Sequence, residues 1–133
     1  MKKSRHAAFS LIELIVVLAI MAVLLVVLVP RFTGYIDQAR QTAAKSDAAA
    51  VLQAAELYVA DKEVSGLTPA ATVTQADDTL APYLKNLDAN ATYSLTISAD
   101  PKGGYAVSGT YSKGNYTVSI PDLTVSKSDE PPQ

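Results

Sequence analysis

Phe9–Val29 (FSLIELIVVLAIMAVLLVVLV) carries one charge, Glu13, in twenty-one residues. A helix over this run is roughly 31 Å long at ~1.5 Å per residue, enough to cross the hydrocarbon core of a bilayer. A carboxylate at mid-membrane costs ~2.5–3.5 kcal/mol on the insertion scale. The sixteen Phe, Leu, Ile and Val residues of the run each return ~0.3–0.6 kcal/mol, so insertion wins. An ionisable residue inside such a span is a functional candidate, and its importance depends on what it pairs with.

The flanks orient the span. Lys2, Lys3 and Arg5 precede it, and positive charge stays cytoplasmic, so the N-terminus faces in and the chain after Pro30 faces out. An ordinary secretory signal is cut beyond its apolar run, after a small-x-small pattern. Val27-Leu28-Val29-Pro30-Arg31 is bulky there, whereas the small pair Ala7-Ala8 comes before the run. The chain has no cysteine, which excludes lipoprotein processing. The reading is a retained span and a lost leader.

Ala8-Phe9-Ser10-Leu11-Ile12-Glu13, followed by an unbroken apolar helix to Pro30, resembles the class III signal of type IV pilins and type II secretion pseudopilins. The resemblance is specific over about residues 5–35. It implies a cut by a membrane prepilin peptidase between Ala8 and Phe9, then N-methylation of Phe9. Ala8 stands where the family usually has glycine. The glutamate that the family has five residues into the mature chain maps onto Glu13, and the proline that bends the long helix maps onto Pro30. In a stack of such helices the new amino group of Phe9 on a neighbour is the nearest cation for Glu13. Opposite charges ~4 Å apart interact by about 4 kcal/mol at an effective dielectric of ~20, enough to set an axial register. The competing reading is a lone snorkelling glutamate in a plain signal anchor.

Residues beyond 30 make one small domain by size. They carry eight positive and twelve negative charges, a net of −4. An acidic head argues against nucleic-acid binding, which needs a basic face. Residues 36–62 are rich in good helix formers. Ile36, Ala39, Ala43, Ala50, Ala54 and Leu57 form one apolar strip, and Val51, Ala55 and Tyr58 an adjoining one. Gln38, Arg40, Lys45, Asp47, Glu56 and Asp61 fall largely elsewhere. Ser65-Gly66 is a stop signal. The expectation is one helix from Phe9 to Lys62, bent at Pro30; the alternative is two helices joined by a loop over Pro30–Gly34.

Leu67–Val73 reads as a loop around Pro69, and Thr74-x-x-Asp77 as the start of a short helix over Gln75–Leu80. Thr92–Ala99, Tyr105–Tyr111 and Tyr116–Ile120 alternate apolar with polar residues and are separated by Asp100–Gly104 and Ser112–Asn115 turns. That predicts an antiparallel meander whose apolar face needs a helix to cover it. Leu123 and Val125 can add an edge. The expected fold is α+β and pilin-like, a long N-terminal helix packed on a three- to four-stranded antiparallel sheet. The expected organisation is leader 1–8, membrane and assembly helix 9–30, head 31–126 and flexible tail 127–133.

Candidates for catalysis are few. The one histidine, His6, lies in the leader, so the mature chain lacks thiol and imidazole chemistry. Asp77-Asp78 fits helix-start electrostatics better than a calcium loop. Gly103-Gly104 reads as a turn, not a phosphate loop. Asn90-Ala91-Thr92 and Asn115-Tyr116-Thr117 match the glycosylation tripeptide only as a weak pattern. The seven tyrosines read as sheet core, with Tyr111 and Tyr116 as the two that a turn position could leave exposed. No catalytic, cofactor or metal site is expected, and no enzyme activity. The resemblance implies a structural subunit, stored in the membrane and exported as a helical homopolymer at the cell surface for adhesion, motility or DNA uptake. Its implied partners are other copies of the chain, prepilin peptidase and an inner-membrane assembly platform. The alternatives are a pseudopilin of a secretion or competence system and a monomeric signal-anchored binding protein.

Overall fold

The computed structural model describes residues 9–85 and 87–128. Ala8 and the rest of the leader, and residues 129–133 of the anticipated tail, lie outside them. The element order is α1 (Leu11–Val64), β1 (Thr72–Thr74), a 3-10 turn (Gln75–Asp77), β2 (Ala91–Ala99), β3 (Tyr105–Lys113), β4 (Tyr116–Ile120) and β5 (Thr124–Lys127). The fold is the α+β, pilin-like arrangement of one long helix and an antiparallel sheet. The chain divides into two units between Gln38 and Ala39. Residues 31–38, which the sequence reading gave to the head, therefore group with the apolar segment.

α1 continues through Pro30 as helix, so a loop over Pro30–Gly34 is not formed. Its end follows from local chemistry. Gly66 takes φ +67°, a left-handed conformation open to a residue without Cβ. The Leu67 N–H then donates to the Lys62 carbonyl at 2.8 Å and the Gly66 N–H to the Glu63 carbonyl at 3.0 Å. These paired bonds satisfy carbonyls that the helix end would otherwise leave open.

In the head the five strands lie in chain order, every neighbour antiparallel. The sheet thus has five strands where three or four are expected. The addition is β1, hidden in the stretch read as a loop. Its three residues are too few to show a period, and pairing with β2 together with the complete burial of Val73 holds it. The helix expected over Gln75–Leu80 shrinks to a single 3-10 turn, because Asp78 swings to φ +49° and Leu80 goes into the core. Lys127, assigned to the tail, belongs to β5, and the Ser128 N–H donates to the Asn115 carbonyl at 2.8 Å.

Alternation along the strands sorts the two faces. Tyr93, Leu95, Ile97, Tyr111, Tyr116, Val118 and Ile120 are buried with Ala44, Ala48, Val51, Ala55, Tyr58 and Val59 of α1 in one core. Tyr111 and Tyr116 are therefore core residues, not exposed ones. Ala48 and Ala55 have no exposed surface, and their small side chains let the helix backbone approach the sheet. The helix buries the Val51–Ala55–Tyr58 strip. Of the other strip Ala54 alone is buried, while Ala43, Ala50 and Leu57 face solvent.

The opposite sheet face is tiled with hydroxyls. Thr74, Ser94, Thr110, Ser119 and Thr124 stand side by side across all five strands, and Thr92, Ser112, Thr117 and Ser126 across four. Thr72, Thr96 and Ser108 start a third row. Among the outward strand positions Ala106 is the one that is neither serine nor threonine.

Candidate functional site

The N-terminal segment is built for exposure to something other than water. Phe9 is 75% exposed and Leu11 equally so, and no residue of the apolar window is buried. The helix is long and apolar enough to cross a membrane, which fits a membrane-anchored protein. The Leu14 N–H donates to the Ser10 carbonyl at 3.2 Å, the first helical hydrogen bond, so Ser10 holds the N-cap position. Glu13 follows three residues later in the first turn, exposed. Ser-x-x-Glu is the spacing of a capping box, and a carboxylate in the first turn also meets the positive end of the helix dipole. Glu13 thus has a local reason to be where it is, besides any partner on another chain.

Pro30 lies inside the helix and removes one N–H from its ladder. The Thr33 hydroxyl donates to the Pro30 carbonyl at 3.0 Å, a second local departure from plain helix bonding. Phe9, Glu13 and Pro30 are thus described on one helix and its entry, whereas Ala8 lies outside the described residues.

The head holds a polar junction that the two helix strips do not reveal. Asp47 accepts from the Tyr111 hydroxyl at 3.1 Å and from the Lys113 ammonium at 2.9 Å. Lys113 also reaches Asp88 at 3.2 Å. Tyr111 is wholly buried, and burial, with the Asp47 carboxylate beside it, pushes its phenol well above the usual range. Hydrogen bonds to Asp47 and Asp88 raise Lys113, while bonds from the Asn90 N–H and Lys113 hold Asp88 below the usual carboxylate range. The junction ties helix, loop and sheet together. The signal was available: Asp47 lies between Ala44 and Val51 on the buried strip, and Tyr111 and Lys113 are two apart on one strand.

A second tie closes the far end of the head. Tyr58 and Tyr83 meet edge to face with centroids 6.1 Å apart, and the Tyr83 hydroxyl donates to Asp61 at 3.0 Å. The Ala70 N–H donates to the Tyr58 hydroxyl at 3.1 Å, so the chain leaving the helix is pinned back onto it. Asp77 of the Asp77-Asp78 pair accepts from the Thr74 N–H and hydroxyl at 3.0 and 2.6 Å, and these bonds depress its pKa. It works as a turn acceptor.

Residues 3–29 match the model of the prokaryotic N-terminal methylation motif. No curated protein and no solved structure matches the chain. The chain carries the class III signal peptide of type IV pilins and pseudopilins.

Proposed function

We propose that this chain, pilin- or pseudopilin-like by that signal, is a non-enzymatic subunit cut between Ala8 and Phe9, methylated at Phe9, and polymerised into a thin helical filament outside the cell. Prepilin peptidase processes it, and an inner-membrane platform draws it from the bilayer. The observation that carries the reading is Glu13, the single charge of an apolar helix exposed on all sides, four residues after Phe9. In lipid the carboxylate sits close to the interface and reaches water. Once helices pack beside one another it needs a cation, and the amino group of a neighbour's Phe9 supplies one. The exposed strip of Ala43, Ala50, Leu57 and Val64 on the head's helix supports side-by-side packing further out.

Glutamine separates the two roles open to Glu13. A capping box accepts Glu or Gln, whereas the pairing with an amine needs the charge. Filament sheared from cells, normalised to membrane-held subunit, should fall by at least about tenfold in both Glu13→Ala and Glu13→Gln, since each removes the charge that pairs with the amine. The sheared material from the unaltered chain should begin Phe-Ser-Leu-Ile-Glu. Full filament yield from Glu13→Gln would leave capping as the role and sink the pairing mechanism.

A further inference from the structure

The outward face of the head's sheet has an uncommon chemistry: it is broad and in register, and every side chain its strands project there is uncharged. The row through Ser94 and Thr110 crosses every strand, with strands ~4.8 Å apart and same-face positions ~6.8 Å apart along each. The centre of the face is exposed. Each hydroxyl both donates and accepts, and the Ser112 and Thr117 pair, 3.2 Å apart, shows neighbours on adjacent strands of one row within hydrogen-bond reach.

Charge touches this face at its β1 edge, where Asp77 accepts from the Thr74 hydroxyl, and the other charged groups described lie off it. Asp47 and Lys113 meet on the helix side, Lys127 lies over the Tyr116 ring on that same side, and Asp100 and Lys102 belong to a turn. A polyanion would need a basic field that this face lacks. An apolar partner would need large side chains, and none projects there. What remains is a partner that is neutral, rich in hydroxyls and repetitive on the scale of the grid.

We propose that the hydroxyl-tiled face is a binding site for a neutral polysaccharide. A single copy binds weakly, because each new hydrogen bond replaces one to water. Many copies side by side convert weak contacts into retention through effective concentration. The proposal rests on the assembly reading for that multiplicity in the cell. A vesicle studded with full-length chain supplies the same multiplicity without any filament.

The test reconstitutes the full chain in vesicles of uncharged lipid and passes them over cellulose, chitin and insoluble α-glucan, with anionic alginate as the charged comparison. Retention is expected on at least one neutral polymer, unchanged over about a tenfold range of salt, and absent from alginate. Thr110→Glu and Thr110→Lys place opposite charges at the centre of the face. Both should cut retention by at least about tenfold, and Thr110→Ser should keep it. The exposed position spares the core, and circular dichroism confirms the fold; Ser108→Glu replaces any variant that fails that check. Passage of unaltered vesicles through all neutral polymers overturns the proposal. So does an opposite response to Glu and Lys, which would mark simple charge attraction. Vesicles that cluster with each other without polysaccharide, and cease to in both charged variants, would assign the face to a second copy of the chain instead.

Discussion

Of the head's glycines, Gly109 is the one where a side chain would meet the most backbone. It lies in β3 opposite Leu95 and Ile120 with φ +153°, a backbone that side chains rarely adopt. A Cβ there would run into the Ser94 carbonyl oxygen and stand 2.8 Å from the Leu95 Cα. Both obstacles are backbone, so neither can swing aside. Gly109→Ala should therefore destabilise the head by about 3 kcal/mol or more, read as a fall in thermal midpoint. A change under ~1 kcal/mol would show that β2 and β3 can part there without cost. The polar junction makes a different demand. Tyr111 and Lys113 both hold their protons more tightly in the fold than in the open chain. A raised pKa contributes stability that is complete below the unfolded value, about 10 for both types, and is lost as pH climbs toward the folded value. Asp77 and Asp88 are depressed, so their contribution is complete above about 4 and lost as pH falls through their folded values. Thermal midpoints should stay level between those limits and drop outside them. Tyr83 and Tyr93 are also raised, by a hydrogen bond to Asp61 and by burial respectively. Tyr111→Phe with Lys113→Met should then make the alkaline limb shallower without abolishing it; an unchanged limb would remove the junction as its source.

The two sides of α1 in the head make opposite predictions. Ala48 is wholly buried, and Ala48→Leu must push helix from sheet, costing ~1–3 kcal/mol or more in stability. Leu57 is 59% exposed on the uncovered strip. Leu57→Glu should change head stability by no more than ~0.5 kcal/mol while lowering filament yield, so the pair of variants separates folding from assembly by melting and by sheared mass. Equal filament yield from Leu57→Glu would free that strip of any part in packing. The elements themselves were legible to different degrees. β2, β3 and β4 read clearly because Tyr93, Leu95, Ile97 and their counterparts alternate over five to nine residues. β1 did not, since Thr72–Thr74 is shorter than any period and owes its form to a neighbour distant in sequence. The helix showed two plausible strips, and only the sheet decides which is covered. Asp47 falls outside the apolar strips because a carboxylate is ordinarily exposed; its place beside Ala44 and Val51 is legible, but its partners, sixty-four and sixty-six residues on, are not. Phe9, Glu13 and Pro30 were legible from the start, because an isolated charge and a proline stand out in an apolar run.

The unit from Ala39 onward has its own core, drawn from one helix face and five strands. A fragment beginning at Arg31 should stay soluble without detergent and unfold cooperatively, with a midpoint indifferent to reductant, since the chain contains no cysteine. Aggregation of that fragment would mean that the apolar segment contributes to the head's stability. The full chain, by contrast, needs lipid, detergent or its own kind around residues 9–38, where every large apolar side chain is exposed. Strand order and chain order coincide in the head. From β2 onward each strand meets the next through a short turn, so little loop entropy separates those pairings, whereas β1 reaches β2 across residues 75–90. The helix that the sheet covers also precedes every strand in the chain. β3, β4 and β5 can therefore add in turn to the growing edge, while β1 remains the sheet's other open edge.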